Sequence, residues 1–451
     1  MEKAIKDYRQ IDAGNVIDNA TLSSCQIRVL ITASLVMILE GIDIQCISFV
    51  APTIVEAWGI EMGGFGIVFT AGLIGAVIGA AVFGPLGDKF GRKPIIFTNV
   101  IFFGVGTLVT PLASDIESLV TIRFLASLGL GGVTPNCIAL VSEYAPTRFK
   151  ALFISIIAVS PLTGGVLGGL FSRSVIPVFG WEGVFYIAGG VSIAALVPVI
   201  FLPESIRFLV TTRQKNNQIV KIMNRIDRSS QYISGDHFYL KGEQQGTKKL
   251  SDLFTKDLLW MTLLLWLALA ANLFMMVLLI NWLPLLLDQQ GVARGTAILS
   301  VSVLNFGGIA GGIALAIMSD RIGIYRTLFT ASLFASLATA LIGVTAPQIL
   351  PMMACIFLSG FLGLGTYAGF ATLAASVYPV HIRSTGIGWA LSIGKCGAAI
   401  APLSVSAALA YGLSIPAVYC AAGIIGLVAT ISIPLIYWRG PQQNAKAHII
   451  F

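Results

Sequence analysis

The sequence predicts an all-α, polytopic membrane protein: twelve transmembrane helices in two pseudo-symmetric six-helix bundles. Three observations predict it. Of 451 residues, 56% are hydrophobic and 11% charged, with a mean hydropathy of +0.88, a balance that cannot cover a water-facing surface of this size. Apolar stretches of spanning length recur along the whole chain, so lipid is the solvent for most of it. Two short polar motifs also occur twice each, at nearly one offset.

A span needs about 20 apolar residues. Scanning at that length places helices near 27–52, 64–87, 95–114, 117–143, 151–172, 181–203, 258–287, 295–318, 326–346, 349–378, 386–411 and 415–438. The division is therefore an N-terminal tail (1–26), a first bundle (27–203), a central polar loop (204–257), a second bundle (258–438) and a C-terminal tail (439–451). The tail mixes Lys3, Lys6 and Arg9 with Glu2, Asp7, Asp12 and Asp18 and has no short apolar core, so the first helix is expected to stay as an anchor. Within the loop, 210–250 shows at best weak helical patterning.

Charge placement orients the chain. With the N-terminus cytoplasmic, that side holds Lys89, Arg92, Lys93, Arg148, Lys150, the central loop, Arg321, Arg326, Arg383, Arg439 and Lys446, against Arg173 and Arg294 opposite. Positive residues stay inside, so both termini are read as cytoplasmic. Ten basic residues between 204 and 257 account for much of the net charge of +7. They are read as topology and attraction to the lipid bilayer's headgroups, with no nucleic acid as partner. The six cysteines show no paired spacing, so neither disulfides nor a metal site is expected. His237, His381 and His448 lie in loops or the tail. No helix offers a metal set or a nucleophile–base pair, and no glycine run suits a nucleotide, so the chain is read as no enzyme and without cofactors.

The repeat pairs Gly84-Pro-Leu-Gly-Asp88-Lys89-Phe-Gly91-Arg92-Lys93 with Ala316-Ile-Met-Ser-Asp320-Arg321-Ile-Gly323-Ile-Tyr-Arg326. A second pair is Ser142-Glu143-Tyr144-Ala-Pro146-Thr-Arg148 and Ser376-Val377-Tyr378-Pro379, leading to Arg383. The Gly84–Lys93 run resembles the loop signature of major facilitator transporters, and the likeness covers the whole chain. It implies alternating access between two bundles, with Gly84, Asp88, Arg92, Glu143, Arg148, Asp320, Arg321 and Arg383 as gating residues and a monomer as the working unit.

Ionisable groups at membrane depth are expensive and mark function by default. Glu40 and Asp43 project from one face of helix one, three residues apart. Two carboxylates so close cannot both ionise at low cost, which suits one of them to carry a proton. A purely structural pair, satisfied by Arg123 and backbone, is the other reading. Counting 1.5 Å per residue puts Arg123 roughly 9 Å and Asp43 roughly 14 Å from the outer ends of their helices, close enough to meet. Lys395, midway along helix eleven, needs an anion: a substrate carboxylate, or a salt bridge to Asp43 or Glu40. Tyr367, Phe361, Phe370, Trp389 and Trp282, with Gln45, Asn136, Asn272, Asn281 and Asn305, supply aromatic and amide groups at membrane depth. From these, Lys395, Gln45, Asn136, Trp389, Tyr367 and Asn281 are the candidate substrate contacts.

Leu39-Glu40-Gly41-Ile42-Asp43-Ile44-Gln45, the helix-four run from Arg123 through Pro135-Asn136 to Glu143, and Arg383-Ser-Thr-Gly386-Ile-Gly388-Trp389 resemble the bacterial aromatic acid:proton symporters. That resemblance implies uptake of a small organic acid anion with protons across the bacterial inner membrane, and weight on Asp43, Arg123, Glu143 and Arg383. Where that family usually has Arg in helix eleven, this chain has Lys395, a point charge rather than a bidentate fork. Two rivals remain: a proton-coupled exporter of organic cations or drugs, which Lys395 opposes, and a transporter-shaped ligand sensor.

Overall fold

The computed structural model describes residues 9–212, 216–227, 231–233, 235–240, 253–255, 258–346, 348–379 and 382–439. His381, His448, the tail segments 1–8 and 440–451, and parts of the central loop lie outside the described residues. Among the described residues run twelve membrane-length helices. The first six are α1 (Ser24–Trp58), α2 (Phe65–Phe90), α3 (Arg92–Val109), α4 (Ile116–Tyr144), α5 (147–179) and α6 (181–200). The second six are α7 (Leu259–Gln289), α8 (Arg294–Ile322), α9 (Ile324–Thr345), α10 (Ile349–Val377), α11 (Arg383–Ala410) and α12 (Ile415–Arg439).

Ten stretches are long and apolar enough to cross a membrane. One of them, Thr147–Ile200, has 54 residues, about 80 Å at 1.5 Å per residue. That is more than twice a hydrocarbon core of about 30 Å. Gly180, at φ 68°, divides it into α5 and α6. α1 completes the twelve, its apolar run interrupted by Glu40 and Asp43.

The turns carry the internal repeat more clearly than the motifs do. Gly59, Gly91 and Gly180 have positive φ, and so do Gly291, Gly323 and Gly412, each 232 residues after its counterpart. Pro52 inside α1 and Pro284 inside α7 keep the same spacing. Gly91 (φ 101°, ψ 150°) starts α3 and Gly323 (φ 90°, ψ 148°) starts α9, in a backbone region open essentially to glycine alone. The two halves therefore use one set of chain reversals.

Small residues let helices close together where no hydrophobic drive exists between them. A side chain at Gly75 or Gly79 on α2 would strike the α4 backbone at Phe124 or Leu128. In the second half, one at Gly307 or Gly311 on α8 would strike α10 around Phe357, Gly360 and Phe361. Between α1 and α5, Gly41 meets Pro161 and Gly164 meets Ile38.

By contacts the chain forms two compact units. The first comprises Met1–Ile44, Ile74–Gly164 and Phe185–Gly246, and the second comprises Gln45–Leu73, Gly165–Val184 and Thr247–Phe451. The second unit thus holds α7–α12 together with the ends of α1, α2 and α5 that adjoin the Gly59 and Gly180 turns.

The first unit also contains a small polar layer built from the N-terminal tail and the central loop. Strand β1 (Gln10–Asp12) pairs in parallel with β2 (His237–Tyr239), beside an Arg9–Asp236 ion pair at 3.1 Å. Asp12 caps the helix Ala13–Asn19. The helix Asn216–Ile226 buries Ile219, Ile222, Met223 and Ile226 in the unit's core, an i, i+3, i+4, i+7 stripe.

The two start glycines differ in their surroundings, and substitution separates the effects. A Cβ at Gly323 meets nothing within 4 Å, whereas one at Gly91 meets the Glu204 carboxylate. Gly323→Ala is expected to cost about 1–3 kcal/mol of backbone strain. Gly91→Ala should cost more, because Glu204 must also leave the amides of Arg92 and Lys93. Thermal midpoints of the two purified variants in one detergent check this, and equal losses would contradict it.

Candidate functional site

In the first unit, α1 brings Glu40 and Asp43 to the face that meets α3 and α4. Asp43 is 1% exposed and Arg123 is 2% exposed. Arg123 donates to Asp43 Oδ1 at 3.3 Å and to the Asp43 backbone carbonyl at 3.0 Å. Thr107 of α3 donates to the same Oδ1 at 2.5 Å. Asp43 Oδ2 is buried with no hydrogen-bond partner among the described residues. The guanidinium lies 5.7 Å from the Phe185 ring, so cation–π attraction also holds it. One turn away, Thr134 of α4 donates to Glu40 Oε1 at 2.8 Å. Thr107 and Thr134 were missed in the sequence, because a threonine at membrane depth carries no distinguishing pattern.

Arg92 organises the other end of the unit. Its guanidinium bonds Asp88 at 2.5 Å, Glu143 at 3.4 Å and the Asn136 side-chain oxygen at 3.3 Å. Glu143 also accepts from the Ser205 hydroxyl at 2.7 Å and the Arg207 amide at 3.2 Å. Glu204 accepts from the amides of Arg92 and Lys93 at 2.8 and 3.1 Å, and its carbonyl accepts from Tyr144 at 2.6 Å. Arg148 donates to the Ala20 carbonyl at 3.3 Å. Gly84 has open space where a Cβ would stand.

Asn136, expected as a candidate substrate contact, lies in this cluster. It is fully buried, and its amide donates to the carbonyls of Phe83 and Gly132 at 3.0 and 2.8 Å. Gly87 leaves the space that its side chain fills.

The matching turn in the second unit keeps the backbone and, as Asp320 and Arg321, the charges of Asp88 and Lys89, but not the ion-pair network. Asp320 and Arg321 are exposed and make no ion pair within that unit among the described residues. Counting 232 residues on from Arg92 and Glu143 gives Ile324 and Ala375, so the partners are absent. Arg383 donates to the Tyr378 carbonyl at 3.4 Å.

Lys395 is exposed on α11 and makes no ion pair within its unit among the described residues. Gly388, Ser392 and Ala399 share its face at helical spacing. On the opposite side, Gly394 and Gly397 press α11 onto Leu269, Ala270 and Leu273 of α7. Trp389 lies about 120° around the helix from Lys395 and stacks on Trp266, with centroids 6.3 Å apart. Tyr367 of α10 is 39% exposed.

Other groups expected as ligand contacts have the following neighbours. Gln45 is paired with Asn305. Asn281 is 6% exposed, and its carbonyl accepts from Ser48 at 3.0 Å. Trp282 is buried against Phe69, Phe370 lies in the apolar core, and Phe361 packs on Gly311 and Phe357. Among the described residues no cluster of His, Cys, Asp and Glu suits a metal ion.

Comparison with known proteins agrees with this architecture. A family profile described as Major Facilitator Superfamily matches residues 33–402. The chain is 32% identical to the 4-hydroxybenzoate transporter of Acinetobacter baylyi, covering 88% of each chain. It is 32% identical to the 3-(3-hydroxy-phenyl)propionate transporter of Escherichia coli, covering 93% of this chain and 96% of the relative. Identity to the gallate transporter of Pseudomonas putida is 30%, over 94% of each. Among solved structures, a D-xylose-proton symporter superposes with a TM-score of 0.69 at 14% identity, covering 92% of this chain and 98% of that one. An inward-facing, occupied bacterial homologue of the lysosomal transporter Spinster gives 0.69 at 16% identity, covering 93% and 97%. These two likenesses bear on the fold alone. Twelve helices in a repeated arrangement, a charged turn after α2 and a family match across most of the length lead to one conclusion: the chain belongs to the Major Facilitator Superfamily and is a transporter, not an enzyme.

Proposed function

We propose that this transporter is a proton-coupled symporter that takes up an aromatic carboxylate by alternating access. The observation that carries the reading is Asp43: a buried carboxylate with one oxygen held by Arg123 and Thr107 and the other without a partner. A proton on Oδ2 neutralises the carboxylate without disturbing the bonds at Oδ1. The Arg123 contact then loses its charge assistance, roughly 1–2 kcal/mol, a shift of roughly 5- to 30-fold in a two-state population. Arg123 keeps the Asp43 carbonyl and the Phe185 ring meanwhile, so it is not stranded. Glu40, one turn away with Thr134, is the second carboxylate on the route.

Lys395 supplies the pole for the substrate anion. It is a cation on a strip of small and polar residues, with no acidic partner in its unit among the described residues. Tyr367 of α10 and Trp389 of α11 are exposed aromatic groups in the same unit. Relatives transport 4-hydroxybenzoate, gallate and 3-(3-hydroxy-phenyl)propionate, which supports an aromatic acid here. The Arg92–Glu143–Asp88 cluster is the gate, and the protein works as a monomer in the bacterial inner membrane with both termini cytoplasmic. An exposed cation on α11 without an acidic partner in its unit among the described residues disfavours the export of organic cations. Of the central loop, the helix Asn216–Ile226 packs into the first unit's core.

Uptake of labelled 4-hydroxybenzoate, phenylpropionate, nicotinate and an aliphatic acid into proteoliposomes under an imposed inward proton gradient tests the reading. Accumulation of one aromatic acid, abolished by a protonophore, is expected. Outward movement of a cationic dye with no acid uptake would replace symport by export.

Two variants test the poles. Asp43→Asn should lose gradient-driven accumulation while retaining substrate exchange across the membrane, and gradient-driven accumulation by Asp43→Asn would remove Asp43 from the coupling. Lys395→Ala should raise KM by at least about tenfold, the loss of one charge-assisted contact. Lys395→Arg should retain most of the affinity, and an unchanged KM in Lys395→Ala would place the anion site elsewhere.

A further inference from the structure

Within the second unit, the end of α1 beyond Asp43 is fastened to α7 and α8 through a buried polar seam. Asn305 of α8 donates to Gln45 Oε1 at 2.8 Å, and Gln45 donates back to Asn305 Oδ1 at 3.4 Å. Both residues are buried, at 5% and 0% exposure. Gly165 of α5 lies against the pair, and a Cβ there would strike both amides. The Ser48 hydroxyl donates to the carbonyls of Ile280 and Asn281 at 2.7 and 3.0 Å. Ser302 donates to the Val166 carbonyl at 3.0 Å, and Arg294 bridges Glu56 and Asp288 at 2.8 and 3.3 Å.

Every one of these bonds joins a helix of the first six to a helix or turn of the second six, apart from the Arg294–Asp288 contact. Two amides that exchange hydrogen bonds at membrane depth have no middle state. Parting them strands both groups of the Gln45 amide and the Asn305 side-chain oxygen unless water enters, while the Asn305 nitrogen keeps the Val301 carbonyl at 2.8 Å. The seam is therefore either shut and dry or open and wet.

We propose that Asn305 is a positioning residue for transport: through its amide exchange with Gln45, over Gly165, it latches the α1–α5–α8 seam shut. Gln45 stands two residues beyond Asp43 on the same helix, so the latch holds the segment that carries the proton-binding carboxylate. The inference rests on the proposed function for its direction, since with both termini cytoplasmic the seam lies on the outer side. Weakening the latch populates the outward-open form that receives external substrate. Apparent affinity improves as the competent form becomes more populated, and the closing step slows. KM and kcat should fall together. A folding defect would lower the amount of working transporter and leave KM unchanged.

The test uses the full-length protein with Ser302→Cys as the reporter background, because residue 302 lies on the seam itself. A membrane-impermeant maleimide is applied from outside, and labelling is read on the peptide that carries position 302. Adding Gln45→Ala, Asn305→Ala or Gly165→Ala should raise the labelling rate at least about threefold. The exchange Gln45→Asn with Asn305→Gln, which preserves the summed side-chain length, should return it to the background rate. Gly165→Ala leaves both amides in place and decides the matter if either amide variant fails to fold. Labelling unchanged in all three, high labelling persisting in the exchange, or a fall in kcat with KM unchanged would overturn the latch. Because labelling needs no substrate, a failure of acid uptake would count against the proposed symport and leave the latch decided on its own.

Discussion

A lipid interior offers a charged side chain no water, and the first unit is built around that constraint at Asp43 and Arg123. Breaking such a buried pair by removing one member costs about 3–5 kcal/mol, since it strands the other charge. Three helices must therefore come together at one depth: α1 with the carboxylate, α4 with the guanidinium and α3 with Thr107. Glycine makes the α3–α4 approach possible, with Gly106 meeting Ala126 and Gly129 meeting Asn99, Phe102 and Phe103. Packing in this region serves an electrostatic requirement, because in lipid apolar contact between helices has no hydrophobic drive of its own.

The two halves show how a repeat diverges under different loads. Backbone geometry is retained: three pairs of positive-φ glycines and one pair of helix prolines stand 232 residues apart. The ion-pair network around Arg92 is not. Arg92 binds Asp88, Glu143 and Asn136 in the first half, while the second half has Ile324 and Ala375 at the matching positions. A turn that only glycine can adopt constrains sequence through sterics, whereas a charge network persists only where all its members do. The first half thus builds a charge network around Arg92, and the second carries Lys395 exposed on α11 with no ion pair in its unit among the described residues.

Residues named from the sequence alone separated into two kinds. Asp43 and Arg123 were legible as neighbours, because charge at membrane depth demands a partner and helix depth can be counted along each chain segment. Asn136, Gln45 and Phe370 were legible as membrane-depth groups but not in their surroundings. Whether a polar side chain on a spanning helix meets a ligand, a neighbouring amide or a carbonyl depends on which helix packs beside it. The amphipathic stripe of Asn216–Ile226 was present in the sequence, yet three turns of helix inside a basic polar loop give a weak signal beside twelve long apolar runs.

By itself the sequence determined the solvent, the helix count, the repeat and the side chains unable to remain uncompensated. Each of these follows from composition, length or the cost of charge in lipid. The tertiary structure alone decided the partners: Thr107 beside Asp43, Asn136 beside Arg92, Asn305 beside Gln45, and a tail strand paired with a loop strand. Those contacts join residues far apart in the chain, and no local periodicity records which faces of two helices will meet.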